Sequence, residues 1–148
     1  MSTKKVIILV VILVILGGVG FGVYQYTKKP DDVVKRKPDF VVDVKTLLNG
    51  FESDSSASNR KYADKIIAVT GNVKRVDTSG AVVLGEDGSA SEVVAGIDKR
   101  HIEDLSSLQA GKLATLQGTF SGYRKAEGDD LLSSLGSTVE LKSAGIKK

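Results

Sequence analysis

The stretch KIIAVTGNVKRV, residues 65–76, decides the fold, and KLATLQGTFSGY, residues 112–123, repeats its pattern. In each, an apolar and a polar residue precede a glycine, and a polar and an apolar residue follow it. Side chains alternate across a β-strand, so Gly71 and Gly118 lie on the same face as the flanking apolar residues. A glycine on that face marks a bulge, a bend or a close backbone approach, which lets a strand curl around a small barrel. Both stretches are therefore predicted to be long, curved barrel strands.

Three further strands and one helix complete the pattern. Turn residues separate the first three strands, and the apolar period becomes helical where Ile102, Leu105 and Leu108 recur. The predicted elements are strand one at 66–76, strand two at 81–85, strand three at 90–97, a helix at 99–108, strand four at 112–123 and strand five at 137–144. This is the order of the oligonucleotide- and oligosaccharide-binding fold, the OB-fold. The predicted fold class is thus an all-β, five-stranded barrel with a helix between strands three and four.

An α-helix is predicted before the barrel. Apolar residues recur there at three- and four-residue steps, and Asp43 stands where a helix N-cap is expected. Serines within 53–58 are poor helix formers and could interrupt this helix before Tyr62. The apolar side of this helix is expected to pack on the barrel and close one end or edge. The alternative is that it docks a separate partner. Its residues are Val44, Leu47, Leu48 and Phe51.

The run Val6 to Val23 is apolar and uncharged over eighteen residues. That length is near the minimum for crossing a hydrocarbon core about 30 Å thick. Tyr24 and Tyr26 follow where an aromatic belt would lie. A cleaved signal peptide is the alternative, but its apolar core is usually shorter, and Gly18-Val19-Gly20 matches its cleavage site poorly. The run is therefore predicted to be a single transmembrane helix.

The orientation of this helix is read from flanking positive charge. Lys4 and Lys5 favour a cytoplasmic N-terminus, whereas the basic residues of 28–37 oppose it. A signal anchor with so short an N-terminal tail usually exports the domain that follows, so we expect a single-pass inner-membrane protein with a periplasmic C-terminal domain. Gly18 and Gly22 also match the G-x-x-x-G pattern of helix dimers, although such a match arises by chance in a glycine-rich span. A helix-mediated dimer and a monomer both stay open.

Residues 24–39 hold both prolines and dense mixed charge, which is typical of a linker. The interleaved aspartates favour a solvated tether over a polybasic, lipid-binding segment at 35–37. The predicted organisation is an N-terminal tail at 1–5, a transmembrane helix at 6–23, a charged linker at 24–39, a packing helix at 40–63 and an OB-fold domain at 64–148.

Composition excludes several classes of function. Residues 60–148 hold 13 basic and 12 acidic residues, so the folded part lacks the basic excess of a general nucleic-acid binder. The absence of cysteine excludes disulfides, thiolate metal sites and a cysteine nucleophile. The single histidine, His101, is expected to be exposed at the start of its helix. We find no nucleophile, base and oxyanion donor in one arrangement, so no enzyme, metal or cofactor is predicted.

Four segments of residues 40–148 carry a family resemblance. They are the helix at 47–51, KYADK at 61–65 leading into IAVTGNV at 67–73, VLG at 83–85, and LQGTFSGY at 116–123. With these segments the chain resembles the bacterial OB-fold family described as tRNA-anticodon-binding-like, whose fourth strand closes on a similar G-x-x-x-G-aromatic pattern. The resemblance implies a barrel carried behind a signal or an anchor, and it implies nucleic-acid binding only by fold analogy. The segment 124–136 is longer than the family pattern.

Ligands of OB-folds usually lie across strands two and three and between the loops that join strands one to two and four to five. A single-stranded nucleic acid would need a basic groove and aromatic platforms there. Strands two and three hold no aromatic residue, and Glu86, Asp87 and Glu92 would repel a phosphate backbone. The candidate ligand-binding residues are Lys74, Arg75, Thr78, Tyr123, Arg124 and Lys125.

A cluster of leucines in the segment before strand five is a candidate contact for another protein. The same cluster could instead fold back over the open side of the barrel as a helical turn. Its members are Leu131, Leu132 and Leu135.

The sequence therefore predicts a non-catalytic, membrane-anchored binding or adaptor module of the bacterial envelope. Its expected partner is another envelope protein or a glycan. A membrane-tethered, single-stranded nucleic-acid-binding protein in the cytoplasm is the alternative, and an accessory with only a scaffolding role is a third reading.

Overall fold

The computed structural model describes residues 2–126 and 136–148. The chain divides into two compact units, Met1–Asp31 and Asp32–Lys148. Helix α1, Thr3–Thr27, makes up most of the first unit. Its most apolar eighteen-residue window has a mean hydropathy of 3.1, and none of that window is buried. By length and composition this helix could cross a membrane, and a signal sequence near the N-terminus would meet the same criteria.

Over its described residues, the second unit is a closed barrel with an extra strand and two α-helices. Its elements are a 3₁₀ turn at Val33–Lys35, β1 at Phe40–Asp43, α2 at Val44–Ser53, α3 at Ser55–Tyr62, β2 at Ile66–Val76, β3 at Ala81–Gly85, β4 at Glu92–Ile97, a 3₁₀ helix at Lys99–Ser107, β5 at Leu113–Lys125 and β6 at Ser137–Ile146. The sheet order is β1-β2-β3-β4-β6-β5, and β2 also pairs with β5. Strands β2 to β6 are the five predicted strands, so the predicted OB-fold is confirmed.

Strand β2 closes the barrel because it pairs with β5 along its first part and with β3 along its last part. Its first part pairs antiparallel with β5, from Ile66 opposite Thr119 onward, and its last part pairs with β3. The register shifts between Val73 and Arg75, so Lys74 is the extra residue of a β-bulge. A bulge bends the strand that carries it and increases its twist, which is what a strand shared by two sheet edges needs.

The two glycines of the repeated pattern mark close approaches, as predicted. A Cβ added to Gly71 would collide with the side chain of Val44, at the start of α2. A Cβ on Gly118 would lie 2.8 Å from the Cβ of Ala144 and 3.1 Å from the carbonyl oxygen of Lys142. The absence of a side chain at Gly71 lets α2 approach β2, and its absence at Gly118 lets β6 approach β5.

Helix α2 packs on the barrel, which confirms the first of the two alternatives for its apolar stripe. Its Phe51 is 1% exposed, and the ring stacks on Phe120 at 5.3 Å and on Tyr123 at 4.7 Å between centroids. The Asp43 carboxylate accepts a hydrogen bond from the Thr46 N–H at 3.0 Å, so this aspartate is the predicted N-cap.

The serine-rich stretch interrupts the helix, as the sequence analysis allowed, because the Asp54 carboxylate accepts from the Ala57 N–H and begins α3 separately. Two other features were absent from the sequence prediction or differ from it. Strand β1 was not predicted, and it pairs in parallel with β2, Phe40 opposite Ile67. The helix between β4 and β5 is a 3₁₀ helix. The leucine cluster at 131, 132 and 135 lies outside the described residues.

Candidate functional site

The outer surface of β3 and β4 corresponds to the ligand face of an OB-fold. Strand pairing places a row of residues across it, with Arg75 opposite Val83, Val83 opposite Val94, and Val94 opposite Glu140. Adjacent strands lie about 4.8 Å apart, so the row extends about 14 Å from β2 to β6. We call this row, with its neighbours Lys74, Glu92 and Arg124, the barrel face.

The two arginines of the barrel face both have carboxylate partners. The Arg75 guanidinium lies 3.4 Å from Glu92 and 3.7 Å from Asp77. Arg124 forms an ion pair with Glu140 on the neighbouring strand. Exposed ion pairs of this kind contribute little to stability. They do matter for recognition, because each carboxylate offsets the positive charge that a phosphate group would meet.

The third cation of the barrel face is held by the backbone. The aliphatic part of Lys74 crosses Gly85, where an added Cβ would lie 2.6 Å from the lysine Cδ. Its Nζ donates a hydrogen bond to the Ser89 carbonyl at 2.6 Å. This contact keeps the positive charge and fixes its position beside the turn between β3 and β4. Thr78 lies exposed in the turn between β2 and β3.

Tyr123 points into the molecule. Its ring stacks on Phe51 with an interplanar angle of 20°, and its hydroxyl donates a hydrogen bond to Ser137 Oγ at 3.1 Å. The ring therefore belongs to the aromatic cluster that attaches α2 to the barrel. The structure brings Lys74, Arg75 and Arg124 to one face and places this tyrosine in the cluster beneath α2.

Lys125, the last of the predicted ligand residues, lies exposed at the end of β5 and lines a cavity of about 510 Å³. The cavity lies between the end of α2, the start of α3 and the end of β5. Glu52, Asp54 and Asn59 give it a mostly polar lining. Its volume is within the range of small-molecule sites, but such sites usually have a predominantly apolar lining.

A second candidate region was not predicted from the sequence. Residues 32–36, which we call the strap, lie on the outer side of β5 and β6. The Gln117 side chain of β5 is fully buried beneath the strap. Its Nε2 donates to the carbonyls of Val33 at 2.7 Å and Arg36 at 2.6 Å. No sequence pattern signalled this contact, because it joins positions more than eighty residues apart.

His101 forms the other attachment of the strap. Its Nε2 lies 2.8 Å from Oδ1 of Asp32, and its Nδ1 lies 3.5 Å from Oδ2 of Asp104. The side chain is 14% exposed, so the expectation of an exposed histidine is wrong. The sequence could not show that the strap covers this position. The hydrogen bond from His101 lowers the pKa of Asp32 below its ordinary value, and the contact with Lys148 lowers the pKa of Asp104.

Within residues 2–126 and 136–148, no group of three or more histidine, aspartate or glutamate side chains could hold a metal ion.

Comparison with known proteins adds a family and a fold. A family model described as tRNA_anti-like matches residues 1–132. No curated protein matches the sequence. Among solved structures, a protein of Klebsiella pneumoniae subsp. pneumoniae MGH 78578, provisionally described as a nucleic acid-binding lipoprotein, is 16% identical with a TM-score of 0.54. The match covers 81% of this chain and 100% of that chain, and at this identity it shows a shared fold alone.

A second solved structure matches more weakly. It is provisionally described as an aspartyl-tRNA synthetase from Leishmania major Friedlin, and it is 12% identical with a TM-score of 0.42. That match covers 82% of this chain and 22% of the Leishmania chain.

Proposed function

The chain belongs to the tRNA_anti-like family, and we propose that it is a non-catalytic, membrane-anchored OB-fold module of the bacterial envelope that binds another protein or a glycan. The observation that carries this proposal is the charge balance of the barrel face. Arg75 and Arg124 are both paired with carboxylates, so the surface on which OB-folds hold their ligands offers little net positive charge.

A face that binds single-stranded nucleic acid combines cations along the backbone path with aromatic rings for the bases. Strands β3 and β4 carry the sequences AVVLG and EVVAGI, which contain no aromatic residue. Tyr123, the aromatic among the six predicted ligand residues, is stacked on Phe51. Val83 is fully buried, so the accessible part of the barrel face is the half-buried Val94 beside the paired charges. Such a surface is better suited to an interface that combines apolar contact with hydrogen bonds.

Helix α1 supports the anchored part of the proposal. Its apolar window leaves every residue unburied, and a long apolar helix in that state needs a lipid environment or removal as a signal sequence. In the proposed arrangement the helix is retained, the protein crosses the inner membrane once and the barrel lies in the periplasm. The mass of the mature protein, together with its resistance to alkaline carbonate extraction, tests retention. A mature chain that lacks residues 1–23 would contradict it.

The proposed binding surface is tested by photocrosslinking in the native cell. A photoreactive residue replaces Val94 in the centre of the barrel face, and a control replaces Glu103 on the 3₁₀ helix. Position 94 is expected to form crosslinks to an envelope protein or a glycan, and position 103 to form none. The absence of crosslinks from position 94, or crosslinks to nucleic acid, would contradict the proposal.

The second candidate is a membrane-tethered, single-stranded nucleic-acid binder. It is favoured by the description of the K. pneumoniae lipoprotein that shares the fold. Full-length protein in detergent micelles is titrated into labelled single-stranded oligonucleotides at several salt concentrations. We expect no binding at micromolar protein. Binding whose affinity falls steeply with salt would support this second candidate instead, because phosphate contacts release counterions.

A further inference from the structure

The strap is attached to the barrel by side chains. Its amide groups bond within the strap itself, Lys35 N–H to the Asp32 carbonyl and Arg36 N–H to the Val33 carbonyl. Its carbonyls accept hydrogen bonds from the Gln117 side chain, and Asp32 bonds His101. The strap can therefore leave the barrel without breaking a strand pair.

The first residue after the strap that the sheet holds by its backbone is Asp39. Its N–H donates to the Ile66 carbonyl at 2.8 Å, and its carboxylate accepts from the Ile66 N–H at 2.9 Å. Strand β1 begins at the next residue. The chain from position 39 onward is thus part of the barrel's hydrogen-bonded framework, whereas the strap is an addition to it.

His101 is the second side chain that holds the strap. Both of its ring nitrogens face carboxylates, Asp32 from the strap and Asp104 from its own 3₁₀ helix. The ring also approaches the position where Gly145 of β6 would carry a side chain, and that glycine adds no charge.

Other charged side chains lie near His101, Asp32 and Asp104. Lys35 lies 3.6 Å from Asp32, and Lys148 lies 3.2 Å from Asp104. At the start of the helix, Asp98 is paired with Arg100. The two lysine side chains are both 80% exposed, so solvent screens them more than it screens the histidine.

We propose that the strap is a latch that opens and closes on an intact barrel, and that its opening lengthens the connection between α1 and the barrel. Four residues, 28–31, join α1 to the closed latch, and eleven residues, 28–38, join α1 to Asp39 when the latch is open. Each added residue extends a chain by at most about 3.6 Å, so opening adds up to about 25 Å of reach. The longer reach from a membrane rests on the proposed membrane anchoring of α1, whereas the opening and closing of the latch does not.

Opening the latch breaks the contact between His101 and Asp32 and the hydrogen bonds from Gln117 to the strap carbonyls. The mechanism is local to the outer side of β5 and β6. It leaves the barrel core and the barrel face unchanged.

Hydrogen exchange measured by mass spectrometry on the full chain in detergent micelles tests the latch. The strap amides of Lys35 and Arg36 are compared with the β2 amides, each corrected for its intrinsic exchange rate. The Val34 amide is left out because it donates to the Asp32 carboxylate itself. We expect strap exchange to be slower than in an unstructured peptide and faster than in β2. Asp32→Ala is expected to speed strap exchange about tenfold and leave β2 unchanged, because it removes a hydrogen bond to a charged group.

Two further variants sharpen the test. Gln117→Leu removes the donor to the strap carbonyls and is expected to speed strap exchange as well. Because Gln117 is buried, this variant could fail to fold, and in that case Asp32→Ala alone decides the test. Lys37→Gln, an exposed substitution beside the strap, is the matched control and is expected to change neither rate.

Three results would overturn the latch. They are strap exchange as slow as that of β2, strap exchange as fast as that of an unstructured peptide, and an Asp32→Ala variant that speeds exchange in β2 as much as in the strap. Loss of α1 from the mature protein would overturn only the lengthening of the tether, because exchange reports on the latch whether or not the helix is retained.

Discussion

Nε2 of His101 lies 2.8 Å from Oδ1 of Asp32, although the two residues are 69 positions apart in the sequence. The contact ties the first residue of the C-terminal unit to the 3₁₀ helix between β4 and β5. Both side chains are about 15% exposed, and this hydrogen bond is the main cause of the lowered pKa of Asp32. A segment that reads as linker in the sequence is therefore part of the folded domain.

Acid is expected to remove the stabilisation that Asp32 provides. Its pKa in the folded protein is below the ordinary value of 3.8, so its contribution is present above that value and is lost as the pH falls through the folded pKa. Urea unfolding of wild type and Asp32→Asn between pH 7 and pH 2.5 measures this. The difference in unfolding free energy between the two proteins should shrink below about pH 4. A difference that stays constant with pH would contradict the prediction, and Asp87→Asn in an exposed turn is the control.

Gly71→Ala is expected to destabilise the barrel, because the new methyl group meets the side chain of Val44. Overpacking of this kind typically costs about 1–3 kcal/mol of unfolding free energy. Val44→Ala removes the obstructing methyl groups, so the double variant should be more stable than the sum of the single effects predicts, by about 0.5–3 kcal/mol. Denaturant unfolding of the three variants gives this interaction energy.

Gly122→Ala is the matched control for that cycle, since it changes a glycine of β5 whose added Cβ would have no neighbour within 4 Å. It should leave the unfolding free energy nearly unchanged. Additive effects of Gly71→Ala and Val44→Ala would show that the close approach of α2 does not explain the glycine.

Phe51→Ala is expected to loosen the attachment of α2 to the barrel. The ring is 1% exposed and stacks on Tyr62, Phe120 and Tyr123. Truncating a buried phenylalanine usually costs about 3–5 kcal/mol. Thermal and urea unfolding should show this loss, whereas the exposed substitution Asn49→Ala on the same helix should show little. A small effect of Phe51→Ala would mean that α2 contributes little to the stability of the domain.

The barrel could be predicted because its strands carry local signals. The glycine-centred pattern of β2 and β5 and the Asp87-Gly88 turn depend only on neighbouring residues, and β2 and β3 have the predicted bounds. The short β1 was missed, although its run Phe40-Val41-Val42 has the composition of a strand. An apolar run of this length does not by itself distinguish a strand from a loop or a helix.

The candidate site was less predictable, because its properties come from pairing between distant residues. The sequence identified Arg75 and Arg124 as cations near the ligand face, but their carboxylate partners are set by strand register. Likewise, Gln117 reads as an outward polar residue of a strand, and only the folded chain places the strap carbonyls against it. The alternation of side chains along a strand predicts on which face of the sheet a side chain lies, but it does not predict which residues cover that side chain.

The charge balance of the barrel face leads to a gain-of-function prediction. Glu92 and Glu140 are the carboxylates paired with Arg75 and Arg124. The double variant Glu92→Gln/Glu140→Gln keeps the side-chain shapes, removes the carboxylate paired with Arg124 and leaves Arg75 with Asp77 at 3.7 Å. If pairing is what prevents phosphate binding, this variant should bind single-stranded oligonucleotides where wild type does not. Every phosphate that the freed arginines neutralise should steepen the dependence of log affinity on log salt by about 0.7.

A control of equal charge separates the barrel face from overall electrostatics. Asp64→Asn/Glu103→Gln removes two exposed carboxylates from other parts of the surface, so it changes the net charge by the same amount. Fluorescence anisotropy at several salt concentrations compares the three proteins. Binding by the barrel-face variant alone would show that Glu92 and Glu140 act locally as a barrier to phosphate. Equal binding by both variants would assign the effect to net charge, and binding by wild type would refute the premise that its arginines are neutralised.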